Sequence, residues 1–230
     1  MDDAYDLLAK RTLQLHQQER QHRLIIGVAG VPGGGKSTLA NEVCRRVNSA
    51  SDGEPAVNVP MDGFHLYRHQ LDKAPDPALA HARRGAHWTF DAQAYVDCLK
   101  SLRNSPGTTQ TAPSFDHGVG DPVAEAITIL PTHGIVISEG NYLLLPDYPW
   151  RELFDDSVFD ETWYIDCDLD RAMERVYARQ VGLGVAPEVS KGRIEGNDRP
   201  NGELIECTKH RAAVIVPSLP FSPPPLKQTP

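Results

Sequence analysis

Cysteine is scarce in this chain: four in 230 residues. Cys44, Cys98, Cys167 and Cys207 stand far apart and form no C-x-x-C pair. That spacing argues against a structural zinc site and fits reduced, mostly buried thiols in a cytosolic setting. Long hydrophobic runs are also missing, since the longest are strand-length and too short to cross a bilayer. The first residues, Met1-Asp2-Asp3-Ala4-Tyr5-Asp6, are acidic and lack the layout of a secretory signal. A cytoplasmic location without membrane contact is therefore the expectation. Positive charge is in deficit. With 23 Lys and Arg against 31 Asp and Glu, the net charge is −8, which leaves no basic face for a general nucleic-acid binder. Internal repeats and a helicase-like second domain are absent as well. What remains is ordinary for one α/β domain: 40% apolar and 23% charged residues, in a chain long enough to bury a substantial core.

One stretch carries chemistry outright. Gly30-Val31-Pro32-Gly33-Gly34-Gly35-Lys36-Ser37-Thr38 matches G-x-x-x-x-G-K-[ST], the phosphate-binding P-loop. The apolar run Leu24–Ala29 before it predicts a buried strand, and Leu39, Val43 and Val47 after it recur at helical spacing. Glycines let the backbone fold around a phosphate and turn its N–H groups inward, and the helix N-terminus adds partial positive charge. Lys36 is expected on the β- and γ-phosphates of ATP, Ser37 on Mg²⁺ and Thr38 near the α-phosphate.

Further along, Ala56–Met61 predicts a second strand that runs into Asp62-Gly63-Phe64-His65. Ligands in open α/β sheets bind beyond the carboxyl ends of strands, so Asp62 is a candidate general base or Mg²⁺ ligand. His65 and His69 are spaced i, i+4, which suits a metal only on a helix. Substrate contact or surface placement is the reading adopted for them. Arg83-Arg84-Gly85 and the aromatics up to Phe90 form a candidate substrate lobe, with Asp91 capping a helix to Leu102. Thr111–His117 predicts an extended piece and Gly118–Leu130 a hairpin-like connection. Gly134–Glu139 predicts another buried strand, and its terminal Glu139 suits a magnesium-orienting acid. Asn141 and Tyr142, directly after it, join His65 as expected substrate contacts. Glu161–Asp166 predicts a fourth strand. Asp168 caps a helix that puts Arg171, Arg175 and Arg179 on one face and leads into Gly182, Gly184 and Gly192. An arginine-bearing lid over the ATP phosphates is the expectation there. Asn197-Asp198 and Asn201-Gly202 read as turns before final strands around Leu204-Ile205 and Ala212–Val216.

Taken together, these motifs resemble the phosphoribulokinase, uridine kinase and pantothenate kinase superfamily of P-loop kinases, in its nucleoside/nucleotide-kinase-like branch. The resemblance rests on Gly30–Thr38, Met61–His65, Arg83–Gly85 with Thr89–Asp91, Phe115–His117, Glu139–Tyr142, the lid to Arg179, and Asn197-Asp198. It covers about residues 22–217. It implies a three-layer α/β sandwich with a central parallel sheet, a small substrate lobe and a lid at about 171–199. A helix over residues 1–21 precedes this kinase domain, and a Pro-rich disordered tail over 218–230 follows it. The resemblance also implies ATP and Mg²⁺ as cofactors, Asp62 as general base, Arg84 and His117 as substrate contacts, and Arg175 and Arg179 as lid residues.

The expected activity is therefore transfer of the ATP γ-phosphate to a hydroxyl of a small molecule, with Arg179 and Lys36 stabilising the transferring group. The alternative is a nucleotide-binding regulatory protein or slow NTPase of the same fold. Nucleosides, sugars, sugar phosphates and vitamin precursors all stay open as acceptors, and the two arginines of the lobe favour an anionic one. A homodimer is one option for the assembly.

Overall fold

Leu24–Gly30 forms β1, and all seven of its residues are buried. A strand buried on both faces has to be covered by helices above and below. Alternation along the strand divides the core in two. Leu24, Ile26 and Val28 face one hydrophobic cluster, which includes Tyr5, Leu39 and Val43, and Ile25 and Ala29 face another, with Tyr95, Leu99 and Val176.

The computed structural model describes residues 2–18, 22–116 and 119–218. Helix α1 (Asp2–Gln18) precedes β1, and α2 (Lys36–Ser49) and β2 (Ala56–Asn58) follow it. Next come α3 (Arg68–Leu71), α4 (Pro77–Ala82), α5 (Ala92–Asn104), and the strands β3 (Gln110–Asp116), β4 (Asp121–Ile129) and β5 (Ile135–Gly140). Then follow α6 (Glu152–Asp155), β6 (Glu161–Asp166), α7 (Leu169–Gly182), α8 (Pro187–Arg193), α9 (Arg199–Glu206) and β7 (Val214–Pro217). Five strands build a fully parallel sheet in the order β2-β5-β1-β6-β7. The predicted α/β sandwich is thus the observed architecture. No helix among the described residues is long and apolar enough to cross a membrane.

Two local expectations are corrected, for the second strand and for Leu204-Ile205, and the helical pairing set aside for His65 and His69 is absent. The second strand stops at Asn58; Val59 still donates to the Ile137 carbonyl at 2.9 Å, and the chain leaves the sheet at Pro60. Met61–Phe64 instead make a 3-10 turn that carries Asp62 off the sheet. His65 and His69 do not share a helix, since His65 bridges to Phe90 in extended backbone and His69 lies in α3. Leu204-Ile205 is helical, in α9, and the turn signals before it form a π-turn at Ile194–Asp198 and the start of α9. Tertiary bonds override the turn propensity there. Arg83 donates to the side-chain oxygens of Asn197 and Asn201, each at 3.2 Å, and Asn197 donates to the Arg84 carbonyl at 2.7 Å.

The predicted hairpin is β3 paired antiparallel with β4, as a separate two-stranded sheet. It rides on the Asp62 turn so closely that a Cβ on Gly63 would lie 2.1 Å from the Pro113 carbonyl. Glycine is therefore required at this close approach. The expected tail falls outside the described residues from 219 onward; Ser218 itself is docked on the P-loop, as described below.

Arg23 ties the sheet base to the hairpin. It is buried, and its guanidinium donates to the carbonyls of Leu102, Ser105, Thr108, Leu130 and His133 at 3.0–3.3 Å. Arg23→Ala leaves five acceptors without their donor. It is expected to cost about 3 kcal/mol or more, read as a lower urea midpoint. A midpoint shift below about 1 kcal/mol would show that water replaces the guanidinium.

Candidate active site

The P-loop joins β1 to α2 and opens one end of a cleft of about 1510 Å³. That volume exceeds the usual range for a single small ligand, about 300–1,000 Å³. Gly33 takes φ +75°, and a Cβ there would lie 2.3 Å from the Ala172 carbonyl of α7. Helix α2 begins after a left-handed Gly35 with no side-chain cap. Its first N–H groups are thus left to an anion. Residues Pro32 to Thr38 line the cleft, whereas Gly30 and Val31 lie beneath it. Val31 acts through its carbonyl, which accepts from Lys36 Nζ at 3.0 Å.

Two acids face Lys36, one from the end of β5 and one from the turn after β2. Glu139, at the end of β5, is buried, and its Oε1 accepts from Ser37 Oγ at 2.8 Å. Burial, with the nearby Asp62 charge, pushes the Glu139 carboxyl up to about 7. Burial likewise lowers the Lys36 ammonium, while Glu139 and Asp62 oppose that shift. Asp62 borders the cleft from the turn after β2, and its carboxylate has no hydrogen-bond partner among the described residues. Ser37 and Glu139 offer paired oxygen donors of the hard kind that Mg²⁺ takes.

No family model matches the chain. A Schizosaccharomyces pombe protein named "Putative uridine kinase" is 37% identical over 205 residues, covering 88% of this chain and 86% of that protein. The chain belongs to the phosphoribulokinase and uridine kinase superfamily of P-loop kinases. An Aspergillus versicolor protein, the ATP-dependent kinase-like protein notR′, is 37% identical over 162 residues, covering 68% of this chain and 93% of its own length. The crystal structure of a "putative fructose transport system kinase" from Silicibacter sp. TM1040 superposes with a TM-score of 0.82 at 28% identity. It covers 93% of this chain and 98% of that one.

In this P-loop kinase the expected lid arginines do border the cleft: Arg171, Arg175 and Arg179 all line it from α7. Arg175 is already engaged. It donates to the Gly33 carbonyl at 3.3 Å and to Ser218 Oγ at 3.0 Å, and Ser218 in turn donates to the Gly34 carbonyl at 3.0 Å. Arg175 therefore braces the P-loop, with Ser218 as a partner that the proline-rich sequence around it gave no reason to select.

At the far end, His65 sits between two rings, with centroids 4.0 Å from Phe90 and 4.6 Å from Phe115. Asn141 lines the cleft. Tyr142 does not, which corrects its expected role as a substrate contact: it is fully buried, and its hydroxyl donates to the Gly85 carbonyl at 2.6 Å. An aromatic ring directly after a strand-end acid simply completes the core here, against Phe90 and Trp150. Arg84 lines the cleft, yet its terminal nitrogens are held by the Gly120 and Leu66 carbonyls and by Asp121. The expectation for His117 falls outside the described residues. Three cleft residues passed over in the sequence are Arg68, Arg193 and Gln180; no motif or spacing marks them.

The raised Glu139 carboxyl has a testable consequence. A carboxyl whose folded pKa lies above its unfolded value favours folding at low pH, and this contribution is lost as pH rises from about 4.5 through about 7. Nucleotide-free wild type is therefore expected to lose melting temperature relative to Glu139→Gln over that rise. A pH-independent difference between the two proteins would rule this out.

Proposed function

We propose that this P-loop kinase transfers the γ-phosphate of ATP to a hydroxyl of a small acceptor, with Asp62 as general base. The observation that carries this reading is the Asp62 carboxylate, on the cleft wall, without a hydrogen-bond partner among the described residues and within the field of Lys36. The P-loop N–H groups and Lys36 hold the triphosphate, and Asp62 takes the proton as the acceptor oxygen attacks phosphorus. Arg171 and Arg179 balance charge on the transferring group, and helices α7 and α8 act as the lid that excludes water. Ser37 and Glu139 would hold Mg²⁺, which neutralises phosphate charge when bound. The reaction runs in the cytoplasm on a soluble metabolite.

A nucleotide-binding regulatory role is the second reading, and one assay separates the two. ADP release from Mg-ATP is measured with pooled acceptors, with Asp62→Asn in parallel. Acceptor-dependent release that vanishes in the variant supports the kinase. Tight ATP binding with no acceptor-dependent release supports the regulatory reading.

A further inference from the structure

Although the chain carries net charge −8, four of its arginines have no side-chain hydrogen bond or ion pair among the described residues: Arg68, Arg171, Arg179 and Arg193. All four line the one cleft. Every other described arginine donates to a carboxylate, a carbonyl, an amide or a hydroxyl, or, for Arg151, forms an ion pair with Asp155 at 3.7 Å. Seven cationic side chains line this cleft against three carboxylates, Asp62, Glu139 and Asp198. In an acidic protein, unpaired guanidinium groups gathered at one place point to an anion that arrives from outside.

The four divide between the two ends. Arg171 and Arg179 share α7 with Arg175, which touches the P-loop carbonyl of Gly33, so they belong to the nucleotide. Arg68 and Arg193 stand on other elements, α3 and α8. A Cβ on Gly120 would lie 2.3 Å from the Arg68 guanidinium, and Arg84 donates to the Gly120 carbonyl. The Arg84 carbonyl accepts from Asn197, in the π-turn that follows Arg193. Arg68 thus lies beside Arg84 at Gly120, and Arg193 leads into the π-turn whose Asn197 holds the Arg84 carbonyl; the Arg84 guanidinium itself sits 5.6 Å over the Phe115 ring. Asp121 and Asp198 are the countercharges at this end: Asp121 accepts from the Arg68 backbone N–H at 3.0 Å and from Arg84 at 2.7 Å, and it lies in the field of the Arg68 guanidinium. Asp198 accepts from Gln180 at 3.1 Å and lies in the field of Arg179 and Arg193, which offset its charge.

We infer that the acceptor bears a phosphate monoester, held by Arg68 and Arg193, while its free hydroxyl is presented to Asp62. This rests on the kinase reading above. In the step itself the acceptor oxygen forms a bond to the γ-phosphorus and the bond from that phosphorus to the β,γ-bridging oxygen breaks. ADP leaves with that electron pair, and the hydroxyl proton passes to Asp62 and then to solvent. The aromatic floor of His65, Phe90 and Phe115 admits either a sugar ring or a base, so a sugar phosphate and a nucleoside monophosphate share this chemistry.

The test is calorimetry on the full chain saturated with Mg²⁺ and a non-hydrolysable ATP analogue. Matched pairs are titrated: ribose and ribose 5-phosphate, fructose and fructose 6-phosphate, uridine and uridine 5′-monophosphate. At least one phosphorylated member is expected to bind about tenfold or more tighter than its neutral partner. Which pair responds separates sugar phosphate from nucleotide. In the double variant Arg68→Gln/Arg193→Gln the preference is expected to vanish while affinity for the ATP analogue stays within about twofold. Equal binding of neutral partners, no binding by any phosphorylated member, or a variant that weakens only the ATP analogue overturns the inference. Turnover on neutral acceptors alone overturns it while keeping the kinase. Phosphate-dependent binding with no turnover sustains the anion site and removes the kinase reading.

Discussion

Lys36→Ala is expected to lower kcat/KM by about 10²–10³ or more, with the fold intact. Lys36 is almost enclosed, donates to the Val31 carbonyl and lies between Glu139 and Asp62. Its charge is thus fixed where phosphoryl oxygens gain negative charge, in surroundings that screen it poorly. Without it the P-loop amides still meet the triphosphate, but two carboxylates face the phosphates with no cation between them. The fold has little to lose, because burial already disfavours the charged ammonium. Steady-state kinetics beside a thermal melt separates the two effects. Near-normal turnover in the variant would sink the mechanism, and a collapsed melting transition would reveal a structural role.

Asp62→Asn is expected to reduce kcat by about 10²–10⁴ while leaving ATP affinity close to wild type. The amide keeps the shape and loses the proton acceptor. Since the carboxylate holds no hydrogen bond among the described residues, the substitution breaks no side-chain hydrogen bond among them. The result also separates the two roles open to Asp62. A base is read as a loss of kcat at unchanged Mg²⁺ requirement, whereas a metal ligand is read as a raised Mg²⁺ half-saturation. Full activity in Asp62→Asn would remove both.

Much of the nucleotide end was legible in the sequence because its signals are local. A glycine-rich loop, a lysine and a hydroxyl between a buried strand and a helix leave few other conformations, and the acid at the end of β5 is fixed by the strand before it. The acceptor end was far less legible. Arg83 and Arg84 read as a substrate lobe, yet Asn197, Asn201 and Asp121, distant in the chain, take up both guanidinium groups. Leu204-Ile205 reads as a strand because two apolar residues carry no period. The packing that buries Ile205 with Asn201 and Gly202 makes it a helix.

The sequence by itself determined the P-loop, the buried strand and helix on either side of it and the strand-end position of Glu139, since each follows from residues a few places apart. Only the tertiary structure decided which arginines are spent on the protein and which stay open to a ligand. Hydrogen-bond partners across more than a hundred residues, as between Arg175 and Gly33 or Arg83 and Asn197, leave no trace in spacing. A guanidinium is free or bound according to what the fold brings beside it.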